Sequence, residues 1–338
     1  MSTQLIESAP VTTRPASRIR SRAGGLAELG PIAAFAVLLV LFAIIAPNFF
    51  TVFNLTNVVR QVSITAIAGV GMTLIILVRG IDLSVGSLAA LTGSLAALSL
   101  AADPAGHSLG GAVLAVLLAL AVGAVVGALN GLLVTVAVVP AFIATLATMT
   151  AVRGVALLVT DSSPVSIPDG PYLRIGLGDV FGVPIPVIIM AVVFGLGYLV
   201  LHRMKIGRRI YAVGGNPEAA RLAGIRVNRV LMFVYVFGGI CVAISALILS
   251  SRLSSGQPAG SVGLELDVIA AVVVGGTSLF GGRGRLAGTF FGALLIGSLG
   301  NGLQLVNVPD YWQRIVTGAV IVAAVVLDRL VRRDRTTS

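Results

Sequence analysis

The sequence predicts an all-α fold, a polytopic membrane bundle of about ten transmembrane helices with an inverted internal repeat. Three observations predict it. Of the 338 residues, 57% are hydrophobic and 11% charged, with a mean hydropathy of +1.04, whereas an average soluble domain carries roughly 25% charged residues. The apolar residues fall in repeated runs of about 18 or more, long enough to cross ~30 Å of hydrocarbon as helices. The alternating segments of about ten residues that mark a membrane β-barrel do not occur.

Residues 1–28 are polar, hold Arg14, Arg18, Arg20 and Arg22 with Pro10, Pro15, Gly24 and Gly25, and read as a flexible cytoplasmic N-terminal tail. The run at 31–46 is long for a signal-peptide core, and Ile45-Ala46-Pro47 offers no small-x-small cleavage site, so it reads as a retained first span. Spans bounded by Pro, Gly or charge follow one another at 29–46, 61–79, 84–102, 109–136, 139–159, 184–202, 229–250, 265–281, 286–306 and 312–328. Residues 29–328 thus form one transmembrane domain with a cytoplasmic loop at 203–229, and 329–338 form a cytoplasmic C-terminal tail.

The net charge of +10 is spread over short loops and tails rather than along one stripe of a polar domain, which argues against a nucleic-acid partner. With the N-terminus inside, 18 of the 23 basic residues are cytoplasmic, Arg60, Arg174, Arg252 and Arg314 are outside, and Arg153 lies within the fifth span. That asymmetry predicts a multi-pass topology with both termini cytoplasmic.

Gly110-Gly111 precedes Asn130-Gly131-Leu132 at the interval that separates Gly281-Gly282 from Asn301-Gly302-Leu303, and Val139-Pro140 and Val308-Pro309 follow at nearly matching distance. The first Asn-Gly element falls on the cytoplasmic side and the second on the outer side, as an inverted repeat requires. Glycines four apart, at 123, 127 and 131 and again at 284, 288 and 292, suit close helix packing better than a solute-lining role.

Several chemistries are excluded. A P-loop needs Gly-Lys-Ser or Gly-Lys-Thr, and the sole lysine sits in Met204-Lys205-Ile206, so ATP hydrolysis belongs to another chain. His107 and His202 lie in separate loops and Cys241 is the only cysteine, which leaves no zinc site, cysteine cluster or internal disulfide. Gly282-x-Gly284 has neither a preceding strand nor the third glycine of a dinucleotide site. No catalytic residue, metal or cofactor is expected.

The loop after His202 carries the signals of a short helix. Asn216 is its cap, Pro217 suits the first helical position, Glu218 complements the positive dipole end, and Gly224 suits a left-handed stop. Ala219, Ala220, Leu222 and Ala223 leave a small apolar surface that either rests on lipid headgroups or docks into a partner protein. Asp82, at the cytoplasmic end of the second span, can cap the third helix ahead of Ser84, and Arg79 is close enough in sequence to pair with it. Direct solute contact is the other reading of Asp82. Arg153 is an intramembrane charge, and it either serves function or snorkels outward.

The pattern Gly-Asn-x-x-Ala-Ala-x-x-x-Gly-Ile at 215–225 resembles the coupling loop of ABC importer permeases. Gly80-Ile81-Asp82-Leu83-Ser84-Val85-Gly86-Ser87 is similar to the signature of the ribose, xylose and galactose permease family, the binding-protein-dependent inner membrane components. Val139 to Leu146, Glu265 to Ala271 and Gly275 to Gly284 extend the resemblance over about residues 48–328 in family order; Arg79 departs from it, replacing an expected glycine. The resemblance implies the ten-helix importer fold in a bacterial plasma (inner) membrane, a second permease copy or paralogue, an ABC ATPase subunit that uses the ATP, and an extracytoplasmic sugar-binding protein. It places coupling to the ATPase on Asn216, Pro217, Glu218, Ala219, Ala220, Arg221 and Gly224. Arg79, Asp82, Ser84, Arg153 and Asn301 are the gate or pathway candidates. Thr145, Thr148, Thr277, Ser278, Asn301 and Gln304 supply neutral hydrogen-bonding groups within the spans, which suits a monosaccharide better than the alternative solutes, branched-chain amino acids or nucleosides.

Overall fold

The computed structural model describes residues 20–103, 108–309, 311–320 and 322–323, with side chains from residue 31 onward. The segment 1–19, His107 and the C-terminal tail 329–338 lie outside the described residues. The first helix, α1 (Arg20–Ile45), already begins inside the segment read as a tail. It is followed by α2 (Val52–Leu77), α3 (Val85–Ala101), α4 (Leu109–Thr135) and α5 (Ala141–Val159). The loop that follows holds β1 (Val165–Ser166), α6 (Arg174–Leu177) and a hairpin of β2 (Asp179–Val180) with β3 (Val183–Pro184). Phe181 and Gly182 turn that hairpin at positive φ of 52° and 79°, as a tight two-residue connection demands.

The chain returns through α7 (Ile185–Tyr198), extended by a π-turn at Leu199–Arg203, into α8 (Lys205–Gly215) and α9 (Pro217–Leu222). Then come α10 (Val227–Leu253), β4 (Ser255–Gly256), which pairs antiparallel with β1, α11 (Leu264–Val274), α12 (Leu286–Leu305) and a last helix from Tyr311.

Among the described residues, six helices are long and apolar enough to span, fewer than the sequence suggested. The eighth predicted span, 265–281, is the main correction. Its helix, α11, has 11 residues, about 16 Å at 1.5 Å per residue, half of a hydrocarbon core. The rest of the predicted span, 275–281, is a turn in which Gly276 and Gly281 take φ 86° and 77°, while the segment ahead of the span, 254–263, lies along α3 without forming a helix, with Gly256 against Ser94 and Ser261 against Gly86. Gly275 and Gly276 end α11 short of the predicted boundary, because the left-handed conformation at Gly276 cannot continue the helix.

At the centre stands α2, 83% buried over its most apolar window, whereas α4, α5 and α7 are 28–33% buried and expose side chains such as Val125 and Leu158. Small residues set the close contacts. Gly71 lies on the Gly238 backbone, Gly123 on Gly239, Gly127 on the Tyr235 carbonyl, Gly288 on Gly275 and Gly292 on Ala271, so both predicted glycine series pack helix against helix.

Contacts fix directions. Ile64 meets Ser245 and Gly71 meets Gly238, so α10 runs antiparallel to α2; Tyr235 and Gly239 meet Gly127 and Gly123, so α4 runs antiparallel to α10 and parallel to α2. Thr73 meets Thr289 and Asn54 meets Asn301, so α12 opposes α2 and therefore α4. The helices carrying Asn130 and Asn301 thus point in opposite directions, each with its asparagine near its C-terminal end. The paired glycines are not equivalent: Gly110-Gly111 opens α4, while Gly281-Gly282 forms a loop at φ 77° and 71° ahead of α12.

Candidate functional site

Two cavities flank the extended stretch that precedes α11. One, of about 320 Å³, lies between α3, α10 and that stretch and presents Ser250, Ser255, Gln257, Ser261 and Asp267. The other, of about 410 Å³, lies between α2, α11, α12 and the last helix and presents Gln61, Thr65, Asp267, Gln313, Arg314 and Thr317. Both volumes suit a small molecule. Val262 and Asp267 line both, so the N-terminal turn of α11 is the wall between them. Arg314 is the opposing charge that acts on Asp267, and its guanidinium packs over Gly263, which takes φ 92°. Irregular backbone is tolerated at membrane depth where it borders a cavity, and that is where it occurs here.

Arg153 on α5 holds this stretch in place. Its Nη1 donates to the carbonyls of Pro258 (2.7 Å) and Gly260 (2.8 Å), both backbone acceptors that the missing helical turn leaves free. Glu265 contributes an attractive charge to the same guanidinium. It also accepts the Gly263 N–H at 3.2 Å and packs on Gly86, in the first turn of α3. The carboxylate therefore sits where the positive ends of α3 and α11 converge, and a side chain at position 86 would displace it.

The connection between α2 and α3 is a second polar knot. Asp82, 1% exposed, accepts from the Ser84 backbone N–H (2.8 Å) and hydroxyl (2.6 Å), and Asn130 donates to the Ser84 hydroxyl at 3.0 Å. Asp82 thus fixes Ser84, the residue at the N-cap position of α3, rather than capping the first-turn N–H groups as the sequence suggested. The predicted Arg79–Asp82 pair does not form: Arg79 turns away, and its Nε and Nη2 donate to the carbonyls of Gly214 (2.8 Å) and Gly215 at the end of α8. Thr145 bonds the Ile81 carbonyl and its own Ala141 carbonyl, holding α5 against the knot.

On the face that α8 and α9 form, each expected feature of the short helix is present. Asn216 Oδ1 accepts from the N–H groups of Glu218 (3.0 Å) and Ala219 (3.1 Å), Pro217 is at the first position, and Gly224 stops the helix at φ 80°. Glu218 and Arg221 form an exposed pair at 3.0 Å. Ala220 is buried against the protein, while Ala219, Ala223 and Leu222, the last 90% exposed, face outward. The preceding helix, α8, is tied to the spans: Gly214 leaves no room for a Cβ beside the Leu77 carbonyl, to which the Gly282 N–H donates at 2.9 Å, and the Tyr211 hydroxyl donates to the Gly284 carbonyl at 2.9 Å. Burial raises the Tyr211 phenol above its ordinary pKa against the opposing pull of Arg285, so it stays a donor.

None of Arg79, Asp82, Ser84, Arg153 and Asn301 lines either cavity. Each holds a break or an end of a helix: Asn301, for instance, bonds Asn54. Likewise Thr145, Thr148, Thr277, Ser278 and Gln304 lie away from both cavities. The cavity groups that sequence reasoning passed over are Gln61, Thr65, Gln257, Asp267, Gln313 and Arg314. A signal for Asp267 was present, since Glu265-Leu266-Asp267 places two carboxylates directly after a glycine- and serine-rich stretch inside a predicted span.

Residues 54–325 match the family described as "Branched-chain amino acid transport system / permease component". Among curated proteins the chain is similar to the ribose import permease protein RbsC of Escherichia coli K12, 47% identical over 314 residues covering 90% of this chain and 94% of the relative. It is likewise similar to those of Bacillus subtilis 168 (45%, 90% and 94%) and Haemophilus influenzae Rd (44%, 90% and 93%). No solved structure matches. A match across nearly all the spans, together with these identities, makes the chain a multi-pass membrane protein belonging to the branched-chain amino acid transport system / permease component family.

Proposed function

We propose that this chain is the permease subunit of a bacterial ABC importer for a monosaccharide. The observation that carries the reading is the 44–47% identity, over 90% of the chain, to ribose import permeases. The bipartite cavity around the N-terminal turn of α11 supports it: hydroxyls, amides, one carboxylate and the Arg314 guanidinium, set among apolar side chains, offer the exchangeable hydrogen bonds that a polyhydroxy solute needs. In this reading residues 29–328 are the permease domain and both termini are cytoplasmic, on the side to which 18 of 23 basic residues were assigned. An ATPase subunit grips Asn216 to Arg221 and Gly224, a binding protein delivers sugar to the outer face, and a second copy or paralogue completes the pathway. The chain itself hydrolyses nothing and holds no cofactor.

Arg79, Asp82, Ser84, Arg153 and Asn301 then act on the pathway by holding its breaks rather than by touching sugar. The family description favours a second solute class, branched-chain amino acids. The test is uptake into proteoliposomes holding the chain, its ATPase and its binding protein. Labelled ribose is expected to enter only with ATP; uptake of leucine without sugar selects the second reading, and ATP-independent sugar uptake defeats both. A reporter fused after Arg221 is expected inside the cell and one after Asp169 outside.

A further inference from the structure

At the foot of α10, Arg221, Gly224, Arg226, Val227, Asn228 and Arg229 line an open surface pocket of about 520 Å³. Arg221 is neutralised by Glu218, whereas Arg226 and Arg229 extend from the start of the helix on exposed positions. No side chain caps α10, so the first-turn N–H groups add their positive end to the same space. A second observation is independent of charge. An apolar cleft of about 390 Å³, lined by Thr135, Asn228, Arg229, Met232 and Phe233, continues from the pocket and shares Asn228 and Arg229 with it. Next to Thr135 the chain exposes Val136 (72%) and Val138 (78%), which marks this level as the edge of the hydrocarbon.

A cationic pocket opening into an apolar cleft at the membrane boundary has the two-part chemistry of an anionic phospholipid. We infer that this pocket binds the headgroup phosphate of an anionic phospholipid between Arg226 and Arg229, with one acyl chain lying along Met232 and Phe233. A soluble phosphate would leave the cleft unused, and an acidic protein surface would not enter it. The occupant therefore comes from the bilayer, and the site borders the exposed face of α9, with which it shares Arg221 and Gly224.

The test uses the full-length chain in detergent, titrated with phosphatidylglycerol, phosphatidylcholine or inorganic phosphate and read by native mass spectrometry. Phosphatidylglycerol is expected to bind in preference to the other two. The double variant R226Q/R229Q should weaken it by about thirtyfold, from roughly 1 kcal/mol per arginine. The control pair R203Q/R208Q, with as many arginines removed beside α8, should change it little. Equal binding of both lipids, phosphate binding as tight as the lipid, or an equal loss in the control pair would each overturn the site. So would a double variant that binds phosphatidylglycerol normally but no longer retains the ATPase, since the arginines would then serve a protein partner.

Discussion

Asn54 and Asn301 face each other as a reciprocal amide pair, each donating to the other's Oδ1 at 3.0 and 2.9 Å, and so lock the N-terminal end of α2 to the C-terminal end of α12. Asn54 also reaches the Phe49 carbonyl at 2.8 Å, tying in the turn after α1. Replacing Asn301 with leucine leaves a buried amide without its partner. The expected loss is about 1 kcal/mol per bond, read as a lower thermal midpoint of the purified protein, with the N54L/N301L double variant losing less than the sum of the single ones. Additive losses would deny the coupling.

Gly224 gives a cleaner test of the short helix. A Cβ there meets nothing within 4 Å, so any effect of substitution comes from its φ of 80° alone. Gly224→Val should cost ~1 kcal/mol or more and abolish solute-stimulated ATP hydrolysis, whereas Gly224→Asn, tolerant of the left-handed region, should retain most of it. Equal activity of the two variants would remove the stop from the mechanism.

For Arg153, the expectation follows from the two carbonyls it satisfies. Arg153→Leu strands the Pro258 and Gly260 acceptors, at a cost of about 1–3 kcal/mol each when no other donor replaces the guanidinium. Transport should fall, and a cysteine placed at Ser261 should react faster with a membrane-impermeant maleimide. Unchanged labelling would show that the stretch holds itself.

Asp267 separates a solute contact from a structural charge. Asp267→Asn keeps the shape of the wall between the cavities and removes the charge that faces Arg314. A solute hydrogen bond to a charged group is worth about 1.5–3 kcal/mol, so the apparent KM for sugar should rise roughly tenfold or more with little change in the thermal midpoint. A fall in stability at constant KM would assign the carboxylate to the fold.

How far the sequence carries differs from element to element. Local rules carry furthest: Asn216, Pro217 and Gly224 mark their helix by cap, first position and stop, whereas Asp82 fixes the N-cap residue Ser84 instead of the first-turn N–H groups. Hydropathy locates the spans but not where a helix stops inside one: 265–281 reads as one run, yet α11 ends at Val274, ahead of Gly275 and of Gly276 at φ 86°. Arg79 was assigned to its sequence neighbour, yet its partners lie at Gly214 and Gly215. Pairings over such separations depend on how helices pack, and that information is spread along the chain. The cavity residues share this limit: Gln61, Asp267 and Arg314 meet only once α2, α11 and the last helix are side by side.

The junction of Leu77, Gly214 and Gly282 has a mechanical consequence. Three chain segments touch there through main chain alone, with the Arg79 guanidinium bolted across the joint. Side chains between elements act as springs, since a change of rotamer absorbs an ångström of travel; a joint of bare backbone has no such slack. A push delivered to α9 therefore reaches the foot of α2 and the foot of α12 with the same stroke. Because those two helices run in opposite directions, one rigid joint meets the end of the first and the approach to the second at the same level.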